Sequence, residues 1–133
     1  MLSKLNPRIP RIWFPDLKDS SNRSICSTEF LVVVPNNRSS KEFLYSLFIS
    51  TLFLTKFSKL VTGTSSSHQR VKPKHFEEMK VVVPSKSVMT LFTDTVKPIF
   101  EKIAQNRAES LALASLRDAL LPKLISGELR VEL

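Results

Sequence analysis

The feature that most constrains the fold of this sequence is a stretch without helix-breaking residues in the C-terminal third of the chain. Between Ile99 and Leu121 there is neither proline nor glycine. A continuous helix over this range extends roughly 35 Å, at about 1.5 Å per residue. Pro98 is tolerable where a new helix or a kink begins, and Pro122 followed by Gly127 is expected to close the helix. The sequence therefore predicts one compact domain followed by a helical extension.

One stripe of this extension has the spacing that favours contact with a second helix. Most of its members follow alternating steps of four and three, which keep side chains on one face. Asn106 and Ser110 lie in the middle of the stripe, where polar side chains commonly fix helix register at some cost in stability. The residues predicted to form this interface are Ile99, Ile103, Asn106, Ser110, Leu113, Leu116 and Leu120.

Positive charge is concentrated before this helix. Residues 1–98 contain 15 Lys or Arg and 7 Asp or Glu, whereas residues 99–133 contain 5 of each, so the first part carries the whole net charge of +8. A basic excess confined to one part suggests a surface for a polyanion there. A solvated basic surface without a ligand is the alternative that charge leaves open.

The front part of the chain mixes strand and helix patterns, which predicts an α+β lobe. Glu29–Val34 and Met79–Val83 are typical of strands, each stopped by a proline, and the two could pair in one sheet. A largely buried helix is expected between them, from about Lys41 to Leu60, with Ser39 or Ser40 as its cap. Its uncharged run is shorter than the roughly 20 residues that a bilayer crossing needs. A membrane-associated protein is therefore the less favoured interpretation.

The loop that follows this helix gives the sharpest local signal for DNA. From Lys56 to Lys74 there are five Lys or Arg and no acidic residue. Short hydroxyl side chains and backbone N–H groups approach phosphate oxygens closely, and lysines and arginines neutralise them. Gln69 and Arg70 carry the groups that make bidentate contacts to adenine and guanine edges. A mobile polar loop is the alternative interpretation.

A second basic cluster lies near the N-terminus and includes Trp13. It either follows a DNA backbone or buries Trp13 and leaves its arginines in solvent. Taken together, the two clusters give these candidate DNA-binding residues: Lys4, Asn6, Arg8, Arg11, Lys59, Thr62, Gly63, Thr64, Ser65, Ser66, Ser67, His68, Gln69, Arg70 and Lys72.

The sequence predicts no catalytic residue, no metal site and no cofactor in this chain. His68 and His75 lack the closed, tightly spaced ligand set of a zinc site, because Cys26 is the single cysteine. The serines beside His68 lack the strand–turn–helix setting of a nucleophile. There is no Walker loop and no glycine-rich nucleotide fingerprint. A single cysteine fits a reducing cytoplasm.

Several strings taken together resemble one known family over essentially the whole chain. The family is the specificity subunit of type I restriction–modification systems. The strings that carry the resemblance are Ser3–Trp13, Ser27–Phe30, Gly63–Ser65 with Gln69, Val82–Pro84 and Leu116–Glu128.

The resemblance implies a non-catalytic subunit that recognises double-stranded DNA. Subunits of this family carry two recognition domains, each reading half of a split site, separated by long helices. Modification subunits bind around those helices and methylate adenine, and restriction subunits translocate and cleave DNA. S-adenosylmethionine, ATP and magnesium are accordingly expected only in the partner subunits, and the complex is expected in a prokaryotic cytoplasm.

On this basis residues 1–86 are assigned to a partial target recognition domain and residues 87–133 to a helical spacer or dimerisation region. The chain departs from the family in size: a complete recognition domain is larger, and its opening strands and first loop, which would precede Met1, are missing from this sequence. The chain is then a truncated reading frame, a half-subunit that associates with itself through the C-terminal helix, or a fragment. A non-functional remnant or a protein–protein adaptor without DNA binding is the alternative function.

Overall fold

A computed structural model describes residues 1–15, 25–62 and 69–130. Contacts divide the chain into two compact units, Met1–Val96 and Lys97–Leu133. The functional boundary that the sequence predicts between residues 86 and 87 stays a prediction.

Two short antiparallel sheets form the strand component of the first unit. The strands are β1 (Leu2–Ser3), β2 (Phe30–Leu31), β3 (Val61–Thr62) and β4 (Arg70–Val71). β1 pairs with β2, and β3 pairs with β4. An isolated bridge between Leu5 and Arg70 connects the N-terminal segment to β4. With the helices described next, these sheets confirm the predicted α+β class.

Four helices complete the described fold. They are α1 (Lys41–Ile49), α2 (Thr51–Ser58), α3 (Pro73–Glu77) and α4 (Lys86–Ile125). The prediction of a cap near residue 40 is confirmed, because the Ser40 hydroxyl accepts the N–H of Phe43 at 3.1 Å.

The single helix predicted from about Lys41 to Leu60 is wrong at Ser50. Ser50 has an extended backbone, with ψ 140°, so it interrupts the helix. Its hydroxyl donates to the carbonyl of Leu47 at 2.7 Å and accepts the N–H of Phe53 at 3.3 Å. One serine therefore ends α1 and caps α2.

The core of the first unit is aromatic. Its buried members are Leu2, Phe48, Phe53, Phe57 and Val71. The rings of Phe53 and Phe57 stack with centroids 5.6 Å apart. Because Leu2 belongs to β1 and Val71 to β4, the two helices α1 and α2 pack against both sheets through one cluster.

The strand predicted at Met79–Val83 is wrong. This segment has no strand pairing in the described structure, and Val82 is 85% exposed. The predicted pairing of the two valine-rich segments is wrong as well, because β2 pairs with β1 and contains only Phe30–Leu31 of the predicted strand. Valine favours a strand chiefly where neighbouring strands pack against it, and Val82 has no such neighbour.

The second unit is built on the C-terminal part of α4. The helix contains both Pro98 and Pro122, so the expectation that Pro122 closes it is wrong. It ends instead near Gly127, whose φ of +75° lies in the left-handed region that favours glycine. The Gly127 N–H donates to the carbonyl of Leu124 at 3.2 Å. Among the helices in the described residues, none combines the length and apolarity needed to cross a membrane.

We expect Ser50→Ala to lower the free energy of unfolding by about 1 kcal/mol, because α2 loses its cap. Denaturant titration followed by circular dichroism measures this change. Thr55→Ala, at an exposed position within α2, is the matched control and should change stability by less than about 0.5 kcal/mol. Equal effects of the two substitutions would contradict the capping role.

Candidate nucleic-acid interface

Three segments that carry predicted DNA-binding residues lie side by side in the first unit. The N–H of Asn6 donates to the carbonyl of Gln69 at 3.0 Å, and the N–H of Val71 donates to the carbonyl of Lys4 at 3.0 Å. The Thr62 hydroxyl donates to the carbonyl of Arg70 at 3.2 Å. The fold thus brings Lys4 and Asn6 beside the end of the polar loop, although the two regions are far apart in sequence.

Three of these residues share the outer face of the β3–β4 pair, which we call the ribbon face (Thr62, Arg70 and Lys72). Val71 is buried in the core, with 1% exposure. Because side chains alternate along a strand, Arg70 and Lys72 point away from the core, and both are exposed. Thr62 pairs directly opposite Arg70 and therefore lies on the same face.

Arg70 forms an ion pair that the sequence did not predict. Its Nη2 atom lies 3.1 Å from Oε1 of Glu29, with side-chain exposures of 54% and 31%. The other carboxylate oxygen, Oε2 of Glu29, is buried and accepts no hydrogen bond within the described structure. Spacing gave no signal for this contact, because it joins a turn residue directly before β2 to a residue of β4, far apart in the sequence.

The N-terminal arginines lie on a tight loop that returns to β1. Asn6 has a φ of +46°, and its carbonyl accepts the N–H of Ile9 at 2.9 Å, so a turn places Arg8 at an exposed corner. Arg11 is also exposed, and its carbonyl accepts the N–H of Ser3 at 3.0 Å. Trp13 is 50% exposed, so the alternative in which it is buried is wrong, and its place along a DNA backbone stays a prediction.

The remaining loop candidates are not all placed. Lys59 is exposed at the C-terminal end of α2. The residues Gly63, Thr64, Ser65, Ser66, Ser67 and His68 lie outside the described residues.

The residues predicted to contact a partner helix are exposed along α4. They are Ile99, Ile103, Asn106, Ser110, Leu113, Leu116 and Leu120. The Ser110 hydroxyl donates to the carbonyl of Asn106 at 2.8 Å, within the same helix. Elsewhere in the described chain, no group of three or more His, Cys, Asp or Glu side chains is arranged to hold a metal ion.

Two specificity subunits of type I restriction enzymes are similar to this chain. The HindI specificity subunit of Haemophilus influenzae is 32% identical over 97 residues, which is 73% of this chain and 21% of that protein. The MjaIX specificity subunit of Methanocaldococcus jannaschii is 30% identical over 102 residues, which is 77% of this chain and 23% of that protein. No protein-family model matches the chain, and no solved structure matches it.

These matches confirm the resemblance found in the sequence. The chain is related to the subunits that give restriction enzymes their specificity, and among those to the specificity subunits of type I restriction enzymes. It spans only about a fifth of the length of the relatives it matches.

Two substitutions of Asn6, whose backbone is left-handed, separate the structural role of this residue from contact of its side chain with DNA. Asn6→Gly should leave the free energy of unfolding nearly unchanged, because glycine adopts this conformation readily. Asn6→Ala should lower it by about 1 kcal/mol. Thermal unfolding measures both. If the Asn6 side chain also contacts DNA, the glycine variant weakens DNA binding at unchanged stability, whereas unaltered binding removes Asn6 from the candidate surface.

Proposed function

We propose that this chain is a DNA-recognition part of a type I specificity subunit, or a half-subunit, without catalytic activity of its own. The observation that carries the proposal is the convergence of residues 4–6 and 69–72 beside the ribbon face. On that face Arg70, a predicted base contact, lies beside Lys72, a predicted phosphate contact, and recognition of a DNA sequence needs both kinds. Leu5 pairs with Arg70, so by the same alternation Lys4 lies on the Val71 side of the sheet and is not part of the ribbon face.

The exposed side chains of the ribbon face support the proposal. β4 is hydrogen-bonded to β3 on one edge and to residues 4–6 on the other, which fixes the backbone beneath these side chains. The exposed guanidinium of Arg70 can make a bidentate contact to guanine, and Lys72 on the same face can neutralise a phosphate. Arg8 and Arg11 extend the basic surface along the N-terminal loop.

The relatives are specificity subunits of restriction enzymes, which supports the proposal that the second unit binds other protein subunits. We propose that modification subunits and a restriction subunit bind the complex in the cytoplasm and supply methylation and cleavage. S-adenosylmethionine, ATP and magnesium then act in those partners. The exposed apolar stripe of α4 contacts another helix, either in a second copy of this chain or in another part of the subunit.

Binding to duplex DNA should weaken steeply with salt. Release of counterions from the phosphates lowers the affinity at least about tenfold between about 50 and 200 mM salt. Gel shifts against a pool of duplexes, with and without a modification subunit, measure this dependence. Binding that ignores salt argues against phosphate contact, and the absence of any shift favours an adaptor or a non-functional remnant.

A pair of lysine substitutions tests the location of the DNA surface. Lys72→Gln removes a charge from the ribbon face, so it should lower affinity for all duplexes and reduce the salt slope by about one. Lys102→Gln removes the same charge from an exposed position in the second unit and should change neither quantity. Similar losses in the two variants would place the DNA elsewhere.

A charged substitution within the stripe of α4 tests whether the stripe contacts another helix. Leu113→Asp places a carboxylate among the stripe residues, so assembly should be lost while the first unit stays folded. Ser115→Asp is the control, because Ser115 is exposed on the side of the helix opposite the stripe, where the same carboxylate should leave assembly intact. Light scattering gives the mass, and circular dichroism monitors folding. A wild-type chain that is monomeric with and without the modification subunit contradicts the interface.

A further inference from the structure

The ion pair between Glu29 and Arg70 places an acid in the middle of the candidate DNA surface. Nη2 of Arg70 and Oε1 of Glu29 are 3.1 Å apart. An acid there opposes attraction to phosphates, because it cancels part of the positive field. A surface that only had to hold the DNA backbone gains nothing from this carboxylate.

The backbone of Glu29 is fixed on both sides. Its N–H donates to the hydroxyl of Ser27 at 3.2 Å, and its carbonyl accepts the N–H of Lys4 at 2.8 Å. The following residue, Phe30, pairs with Ser3 in the first sheet. The carboxylate is therefore presented to Arg70 from a hydrogen-bonded strand end.

Arg70 is likewise fixed at its backbone, and Glu29 contacts the end of its side chain. Its carbonyl accepts the Thr62 hydroxyl, and it forms a bridge with Leu5. Its side chain is 54% exposed, and an arginine has many rotamers when nothing holds it. The contact with Glu29 selects among those rotamers.

The contact leaves enough donors for a base. A guanidinium has five N–H donors in a planar fork, and a bidentate contact to guanine uses two of them. The ion pair joins one nitrogen of Arg70 to one carboxylate oxygen. Arg70 can therefore keep Glu29 as a partner while two other donors face a base edge.

We propose that Glu29 is a positioning residue for sequence reading: its carboxylate orients the Arg70 guanidinium toward the base edge and limits its use on phosphates. This proposal rests on the proposed function, because it requires that the surface binds DNA. It predicts that Glu29 raises discrimination between sequences without raising total affinity, which is how a repulsive element contributes to specificity.

The test selects preferred sequences from a pool of random short duplexes, using the full 133-residue chain with its modification subunit. Arg70→Gln first identifies the base position that Arg70 reads. We expect Glu29→Gln to lower the preference at that same position by about tenfold, within the range that one bidentate contact supplies. Affinity for the unselected pool should stay equal or become tighter. The double variant should lose no more preference than Arg70→Gln alone, because both changes remove one function.

Two further measurements separate positioning from folding. Glu77→Gln makes the same charge change at an exposed acid in α3 and should leave the preference intact. In the protein without DNA, ¹⁵N relaxation of the Arg70 side-chain Nε–H group should show restricted motion in the wild type and increased motion in Glu29→Gln. Circular dichroism confirms that each variant is folded.

The outcomes distinguish this inference from the proposed function. If the wild type selects a sequence but Glu29→Gln keeps the full preference, or the two substitutions act additively, Glu29 does not position Arg70 and the proposed function stands. A preference that Arg70→Gln leaves untouched overturns the inference in the same way. If the wild type selects no sequence, both are overturned.

Discussion

Burial of Phe57 against Leu2 and Val71 is the interaction on which the first unit depends. Each of these residues is at most 1% exposed, and they come from α2, β1 and β4. Apolar burial of this kind is non-directional, so the hydrogen bonds between the N-terminal segment and β4 supply the register that burial alone lacks. The candidate DNA surface is the solvent side of this arrangement, because Arg70 neighbours Val71 on the same strand and points the other way.

The net charge of the chain does not reveal that the candidate DNA surface contains an acid, Glu29, beside one of its arginines. Within this basic part of the chain, the carboxylate of Glu29 lies 3.1 Å from the guanidinium of Arg70, so it neutralises part of the positive charge there. Removal of Arg70 would leave the Glu29 carboxylate, whose Oε2 is buried, without its cation, which is expected to cost stability. Substitutions at this pair therefore bear on stability as well as on the proposed recognition.

Local chemistry made much of the fold predictable from sequence. The cap of α1 was narrowed to Ser39 or Ser40 from their hydroxyls, and the structure has Ser40 there. The long helix was predicted from the absence of breakers between Ile99 and Leu121. Long-range contacts were not predictable in this way. The valines at 81–83 have strand propensity but no neighbouring strand, and the Glu29–Arg70 pair depends on two sheets being drawn together by the core. Ser50 could have signalled a helix break, since a serine favours cap positions, but the apolar residues around it concealed that signal.

The hydrogen bond from Ser110 to Asn106 limits which polar groups of the stripe are available to a partner helix. Because the Ser110 hydroxyl hydrogen is already bonded to its own helix, the side-chain amide of Asn106 is the stripe's main group for a polar contact across an interface. The aliphatic residues of the stripe can contact many helices weakly. The single amide of Asn106 favours only those partners that place a polar group opposite it in one register. If α4 pairs with another helix as proposed, a misaligned pair differs from an aligned one chiefly by an unsatisfied amide, so alignment depends more on Asn106 than affinity does.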